Sequence, residues 1–242
     1  MKRLAVVLLV LLASADATAK VGGLSDAPNI RHQVLLRDAR HELTPALTYT
    51  FTDDYQRNLI LQIGYLYHFL DWLAVGAEIG YGMSSVSPDK FKTGLTEDIE
   101  REVNPEYQQG HQGRPYSMGR TGFGLVALAK VVFTPLSGKL ILFGKYLGHV
   151  DVNGSLGLGT IQFKGFDGMD SAWKLSLFLA TGLRFFPHEA VSIDFEVRDY
   201  LAFSQPINVT KDGEVNESQA RNNFAIMFGL SVFLPVGART GP

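Results

Sequence analysis

The segment "NFAIMFGLSVFLP", Asn223 to Pro235, constrains the fold more than any other part of the chain. Every second residue is large and apolar: Phe224, Ile226, Phe228, Leu230, Val232 and Leu234. A period of two marks a strand, because successive side chains point to opposite faces of the pleat. A sheet with one face in water would carry Lys, Glu, Thr or Asn on the other positions. Ala225, Met227, Gly229 and Ser231 stand there instead, so neither face reads as an ordinary wet surface.

The pattern recurs upstream. Leu47, Tyr49 and Phe51 alternate with threonines; Leu59, Leu61, Ile63, Tyr65, Tyr67 and Phe69 alternate with Gln62, Gly64 and His68. Leu73, Val75, Ala77, Ile79 and Tyr81 face away from Gly76, Glu78 and Gly80, and "FGLVALAKVVF" sets Phe123 to Phe133 against Gly124 and Lys130. With further strands at roughly 139–151, 172–186, 190–203 and the terminal segment, the count is eight, each of about nine or more residues and long enough to cross a bilayer when tilted. No stretch after the N-terminal segment is long and apolar enough for a membrane-spanning helix.

The second faces carry charge. Glu78, Lys130, Lys145, Arg184, Asp194, Glu196 and Arg198 each sit opposite the large apolar set, as in "VSIDFEVRDY". Apolar faces toward lipid and charges toward a hollow define an eight-stranded antiparallel up-and-down transmembrane barrel of the outer-membrane type. A lumen of that width is filled by side chains, so a polar plug of ion pairs is expected in preference to an ion or proton pathway.

Connection lengths give the orientation. Short connections are expected at 53–58, 70–71, 134–138 and 187–189, and long ones at 84–117, 153–171 and 204–220. In a meander every second connection lies at the same end, and outer-membrane barrels keep their long loops outside. Tyr65, Tyr67, Phe69, Trp72, Phe133 and Phe185 then belong to a periplasmic aromatic girdle, and Tyr81, Phe123, Trp173, Tyr200 and Phe224 to an outer one. The 84–117 loop, with a helical pattern near Thr96 to Val103, is the best candidate for a partner surface.

The chain opens with Lys2 and Arg3, an apolar run from Leu4 to Ala13 and the small-residue site Ala17-Thr18-Ala19, which is the order of a secretory signal peptide over 1–19. A periplasmic extension over 20–41, a barrel over 42–235 and a tail over 236–242 follow. There are no cysteines, hence no disulfide and no lipid-modified cysteine anchor. A net charge of −2 gives no argument for a nucleic-acid partner.

Signals for chemistry are few. "GSLGLGT", Gly154 to Thr160, lacks the lysine and following helix of a phosphate loop and reads as flexible outer loop. The six histidines show no metal-binding spacing, and no cofactor is indicated. His149 and Asp151 share one strand face, expected near its outer end, and with Ser171 or Ser155 they offer a weak hydrolase arrangement. Asn153, Asn208 and Asn216 open formal glycosylation sequons, expected to stay unmodified in a Gram-negative host.

Residues 32–82, with the basic entry "LRDARHELTP" and the "YHFLDWLAVG" hairpin, together with the "GLSVFLP" ending at 229–235, resemble the outer membrane β-barrel domain family abundant in myxobacteria and related bacteria. Some members of that family belong to the envelope complex of gliding motility, so the resemblance implies an assembly subunit. The chain departs from the pattern where "VGARTGP" follows Phe233 and Leu234 in place of a terminal aromatic. The sequence thus points to a non-enzymatic barrel of the Gram-negative outer membrane, in contact with its lipid and with envelope proteins. A narrow, porin-like pore for ions or small solutes is the main alternative, and a rim-located lipid-modifying hydrolase a lesser one.

Overall fold

A computed structural model describes residues 35–110, 116–142, 146–207, 217–235 and 239–240. Lys145, the 1–19 leader, Asn208 and Asn216 lie outside the described residues. The strands are β1 (Leu35–Leu36), β2 (His41–Thr50), β3 (Asn58–Leu70), β4 (Leu73–Gly82), β5 (Arg120–Leu142), β6 (Tyr146–Phe166), β7 (Ala172–His188), β8 (Val191–Ile207), β9 (Glu217–Leu234) and β10 (Arg239–Thr240). A helix, α1 (Gly94–Gly110), lies between β4 and β5. Strands β2 to β9 pair in sequence order, and β2 closes on β9 from His41↔Leu234 to Thr50↔Ala225. The ring has eight antiparallel strands and no open edge. β1 and β10 pair separately beside the mouth at which the barrel begins and ends.

Two expected boundaries move. β5 does not stop at residue 134: it runs on to Leu142 and pairs with β6 from Leu136↔Val152 to Leu142↔Tyr146. This hairpin extends past β4, whose last partner on β5 is Phe133. The 153–171 stretch is correspondingly not a long loop. β6 occupies it up to Phe166, and "GSLGLGT" lies mid-strand. Glycine misled the reading because it serves close strand approach here: a Cβ at Gly159 would lie 2.1 Å from the Ala127 carbonyl oxygen. The outer connections that begin among the described residues are therefore 51–57, 83–119, 167–171 and the one that follows Ile207, with tight turns between Leu70 and Leu73 and between His188 and Val191 at the other mouth.

Polarity is inverted relative to a water-bathed barrel. Leu47, Ile63, Ile79, Val131, Leu158, Leu183, Phe195 and Phe228 are exposed, whereas Glu42, Glu78, Lys130, Arg184, Asp194 and Arg198 are buried. Such a wall is stable only where hydrocarbon surrounds it. The chain is an outer-membrane barrel, and the short-turn mouth is periplasmic by the loop asymmetry of such barrels.

Candidate functional site

The lumen is built by parity. On β8 Ser192, Asp194, Glu196 and Arg198 are buried in alternation with the exposed Ile193, Phe195 and Val197. β4 supplies Glu78, β5 Lys130 and β7 Arg184 by the same rule. These groups form two networks. In the first, Glu78 accepts from Lys130 Nζ at 2.8 Å and from Arg198 Nη1 at 2.7 Å, while Arg198 also meets Glu196 at 2.8 Å and donates to Tyr200 at 3.1 Å. In the second, Arg184 donates to Glu42 at 2.6 Å and to Asp194 at 2.8 Å. His68 Nε2 lies 2.8 Å from Glu42, and Ser231 hydrogen-bonds both Glu42 and Asp194. Burying these ions is costly, and the pairing is what makes it tolerable.

Sequence reasoning missed Glu42 and, although it set His68 on the inward face of its strand, left it out of the charge cluster. The signal was present in strand parity, since Glu42 shares its face with the buried Thr48 and Thr50, and His68 with Gln62 and Leu66. Arg184 pairs with Glu42 and Asp194, and Glu196 with Arg198.

The plug is not polar throughout. Toward the outer mouth Ile60, Phe123, Val126, Leu128, Phe163, Phe178 and Tyr200 form one buried apolar cluster. Phe123 packs edge-on against Phe163 and Tyr200, at 5.2 and 5.9 Å between ring centroids. Phe123 and Tyr200 are therefore lumen residues and not members of the outer girdle. For Tyr200 the cause is parity, because the alternation that turns Arg198 inward carries Tyr200 with it. For Phe123 the cause is a bulge between Phe123 and Val126, which inserts a residue and reverses the alternation. Of the other girdle candidates, Tyr65, Phe69, Trp72 and Phe133 are exposed on the periplasmic side, and Tyr81, Trp173 and Phe224 on the outer side. Tyr67 and Phe185 are half-buried.

Both mouths are covered. At the periplasmic mouth the entry segment turns back into the barrel. Arg37 forms a buried ion pair with Asp151 and donates to Ser137 at 3.1 Å, while the Asp71 carboxylate accepts the Arg37 and Asp38 amides. Arg40 donates to the carbonyls of Glu189 and Pro235 and lies over the Phe233 ring. The hydrolase arrangement does not form with Ser171: Asp151 is at the periplasmic mouth, not the outer end, and is held by Arg37, whereas Ser171 is in the outer turn after β6; Ser155 lies four residues along β6 from Asp151.

At the outer mouth the described parts of the 83–119 connection, 83–110 and 116–119, form a structured cap. Buried Arg120 donates to Gln56 at 2.9 Å and to Asp89 at 2.8 Å, and pairs with Glu100 and Asp167. Lys92 bridges Glu100 at 2.8 Å and Asp89 at 3.0 Å. Burial opposes ionisation of Glu100, but the Lys92 hydrogen bond, the Met118 amide and the charges of Lys92 and Arg120 outweigh it and hold the carboxyl below its usual range. Helix α1 presents exposed Glu97, Asp98, Glu102 and Glu106 beside exposed Leu95 and Val103. Among the described residues no group of acidic, histidine or cysteine side chains is placed to hold a metal.

A closed eight-stranded wall with an apolar exterior, a side-chain-filled lumen and a long outer connection at 83–119 defines the class: a small integral barrel of the Gram-negative outer membrane. No family model matches the sequence, and no curated protein matches it. Among solved structures, the chain is similar to the N-terminal β-barrel domain of Pseudomonas aeruginosa OprF, at 7% identity and a TM-score of 0.44, covering 81% of this chain and 98% of that one. It is also similar to Neisserial surface protein A, at 10% identity and a TM-score of 0.38 with 80% and 95% covered. The attachment invasion locus protein Ail of Yersinia pestis gives 14% identity and a TM-score of 0.39, with 81% and 99% covered.

Proposed function

We propose that the chain is a sealed, non-enzymatic barrel that serves as a structural subunit of an envelope complex and displays its outer cap as a recognition surface. The supporting observation is the tie of Glu78 to Lys130 and Arg198 beneath the aromatic layer of Phe123, Phe163, Phe178 and Tyr200. A hydrated solute path would have to cross both an ion-paired layer and an apolar one. A barrel that does not conduct still supplies a rigid wall in the membrane and an ordered platform above it, as loops on rigid scaffolds do. Assignment of the complex to gliding-motility machinery rests on the sequence resemblance in residues 32–82.

Two measurements test the proposal together. The purified full chain in planar bilayers gives no unitary currents, and a tagged chain from crosslinked envelopes yields a fixed set of partners at constant stoichiometry. Steady channel openings, with no partner in fixed ratio, would replace this reading with the pore.

A further inference from the structure

The 51–57 connection closes on the start of β9 at the outer mouth. Thr52, Asp53, Ala220, Arg221, Asn222 and Asn223 line a recess of about 330 Å³ there, at the small end of the roughly 300 to 1,000 Å³ that small-ligand pockets occupy. Its walls are fixed. The connection is tied to the cap, since Gln56 Oε1 accepts from Arg120 at 2.9 Å and the Tyr55 carbonyl accepts from the Thr96 hydroxyl at 2.8 Å. On the other side, buried Asn223 donates to the Tyr200 carbonyl at 3.1 Å and to Gln205 Oε1 at 3.0 Å.

Opposite charges line the recess without meeting. Asp53 is buried, and its Oδ1 accepts the Tyr55 and Gln56 amides at 2.9 and 3.2 Å. Those two bonds keep the carboxylate from swinging away. Oδ2 has only Gln205 Nε2, at the long distance of 3.5 Å. Arg221 is half-buried, and its guanidinium makes no ion pair or hydrogen bond among the described residues, although its charge acts on Asp53. Burial pushes the Asp53 carboxyl above its ordinary range, and the two amides and the Arg221 charge offset this only in part, so a second cation beside Oδ2 is favoured.

We propose that this recess binds a small zwitterion, which sets an ammonium against Asp53 and a carboxylate or phosphate against Arg221. The volume excludes a folded partner. A lone cation would be opposed by Arg221 and a lone anion by Asp53, and water neutralises neither; a ligand carrying both signs satisfies both walls, with the guanidinium fork suited to its anionic end. Free amino acids and ethanolamine-phosphate headgroups share this chemistry. The site is separate from the assembly reading and stands or falls without it.

The experiment follows the Asn223 side-chain amide by NMR in the purified full chain, held in micelles of an uncharged maltoside at constant ionic strength. Glycine and O-phosphoethanolamine each give a saturable shift, and ethylammonium and acetate, with one charge apiece, bind at least tenfold more weakly. Asp53→Asn keeps an oxygen for the Tyr55 and Gln56 amides but loses the charge, and Arg221→Gln loses the cation. Each weakens glycine binding at least tenfold while the heat-modifiable band remains. If Asp53→Asn does not fold, Arg221→Gln at its half-buried position decides. Phosphatidylethanolamine doped into the micelles distinguishes the sources: a shift from the lipid alone assigns a headgroup, and a shift from the soluble probes alone assigns a free solute. The absence of any saturable shift, equal binding of the singly charged probes, or variants that bind glycine as the parent does overturns the proposal and leaves a recess filled by water.

Discussion

Glu78 and Arg198 meet at 2.7 Å although their strands, β4 and β8, stand four apart in a ring of eight. The pair is a diametric tie across the lumen. Lys130, from the strand next to β4, completes it. Neutralising Glu78 therefore leaves buried Lys130 without its ion partner and Arg198 with Glu196 alone. Glu78→Gln should destabilise the barrel by about 3–5 kcal/mol, the usual cost of removing one partner from a buried ion pair. The check is the urea midpoint of the heat-modifiable form in detergent. A loss within the ±0.5 kcal/mol typical of surface changes would show that the tie contributes nothing.

Phe178 is fully buried, packs on Tyr200 at 5.3 Å and lies under the Arg198 guanidinium. Phe178→Ala removes a ring from the apolar layer and should cost about 3–5 kcal/mol. Conservative Phe178→Leu should recover most of that in the same urea titration.

The cap carries its own pH dependence. The Glu100 carboxyl is held below its ordinary range, so its contribution is fully present above the unfolded value near pH ~4.3 and is lost as pH falls through the folded value. Burial alone would lower the Lys92 ammonium, but the hydrogen bonds to Glu100 and Asp89 raise it overall, so its contribution persists below about pH 10.4 and is lost only as pH rises beyond that. Hydrogen exchange of α1 at acid pH, compared at matched chemical exchange rates, should accelerate below pH ~4 while β3 and β8 stay protected. Glu100→Gln should show the faster exchange at neutral pH and little further change on acidification.

Arg120 gathers Gln56, Asp89, Glu100 and Asp167 from three outer connections, 51–57, 83–119 and 167–171. Arg120→Ala should release the cap without unfolding the wall. Limited proteolysis of intact cells should then cut within 83–119 at least tenfold faster, with the gel shift on boiling unchanged. Loss of the folded band would instead make Arg120 part of the barrel's own stability.

Strand parity carried most of the fold. It placed Glu78, Lys130, Arg184, Asp194, Glu196 and Arg198 in the lumen because a two-residue period leaves no freedom once one face is set. Parity fails where the backbone gains a residue, as at the bulge that turned Phe123 inward. Composition failed at Gly154 to Thr160, where glycines that permit close strand contact look the same in sequence as glycines that permit a loop. The β5–β6 hairpin was hidden for a related reason, since Pro135 and Gly138 imitate a turn inside a continuous strand. The pairing of Arg184 with Glu42 depends on closure between β2 and β9, a contact between chain ends that no local pattern reveals.

The inversion of polarity is read most directly by the chain's two tryptophans, Trp72 beside the periplasmic turn and Trp173 near the outer one, both exposed on the wall. In vesicles of lipids brominated at graded depths, both should be quenched by bromines near the glycerol end of the acyl chains, less by bromines at the bilayer centre, and scarcely by aqueous iodide. Quenching by iodide with no response to any brominated lipid would place this wall in water and contradict the account.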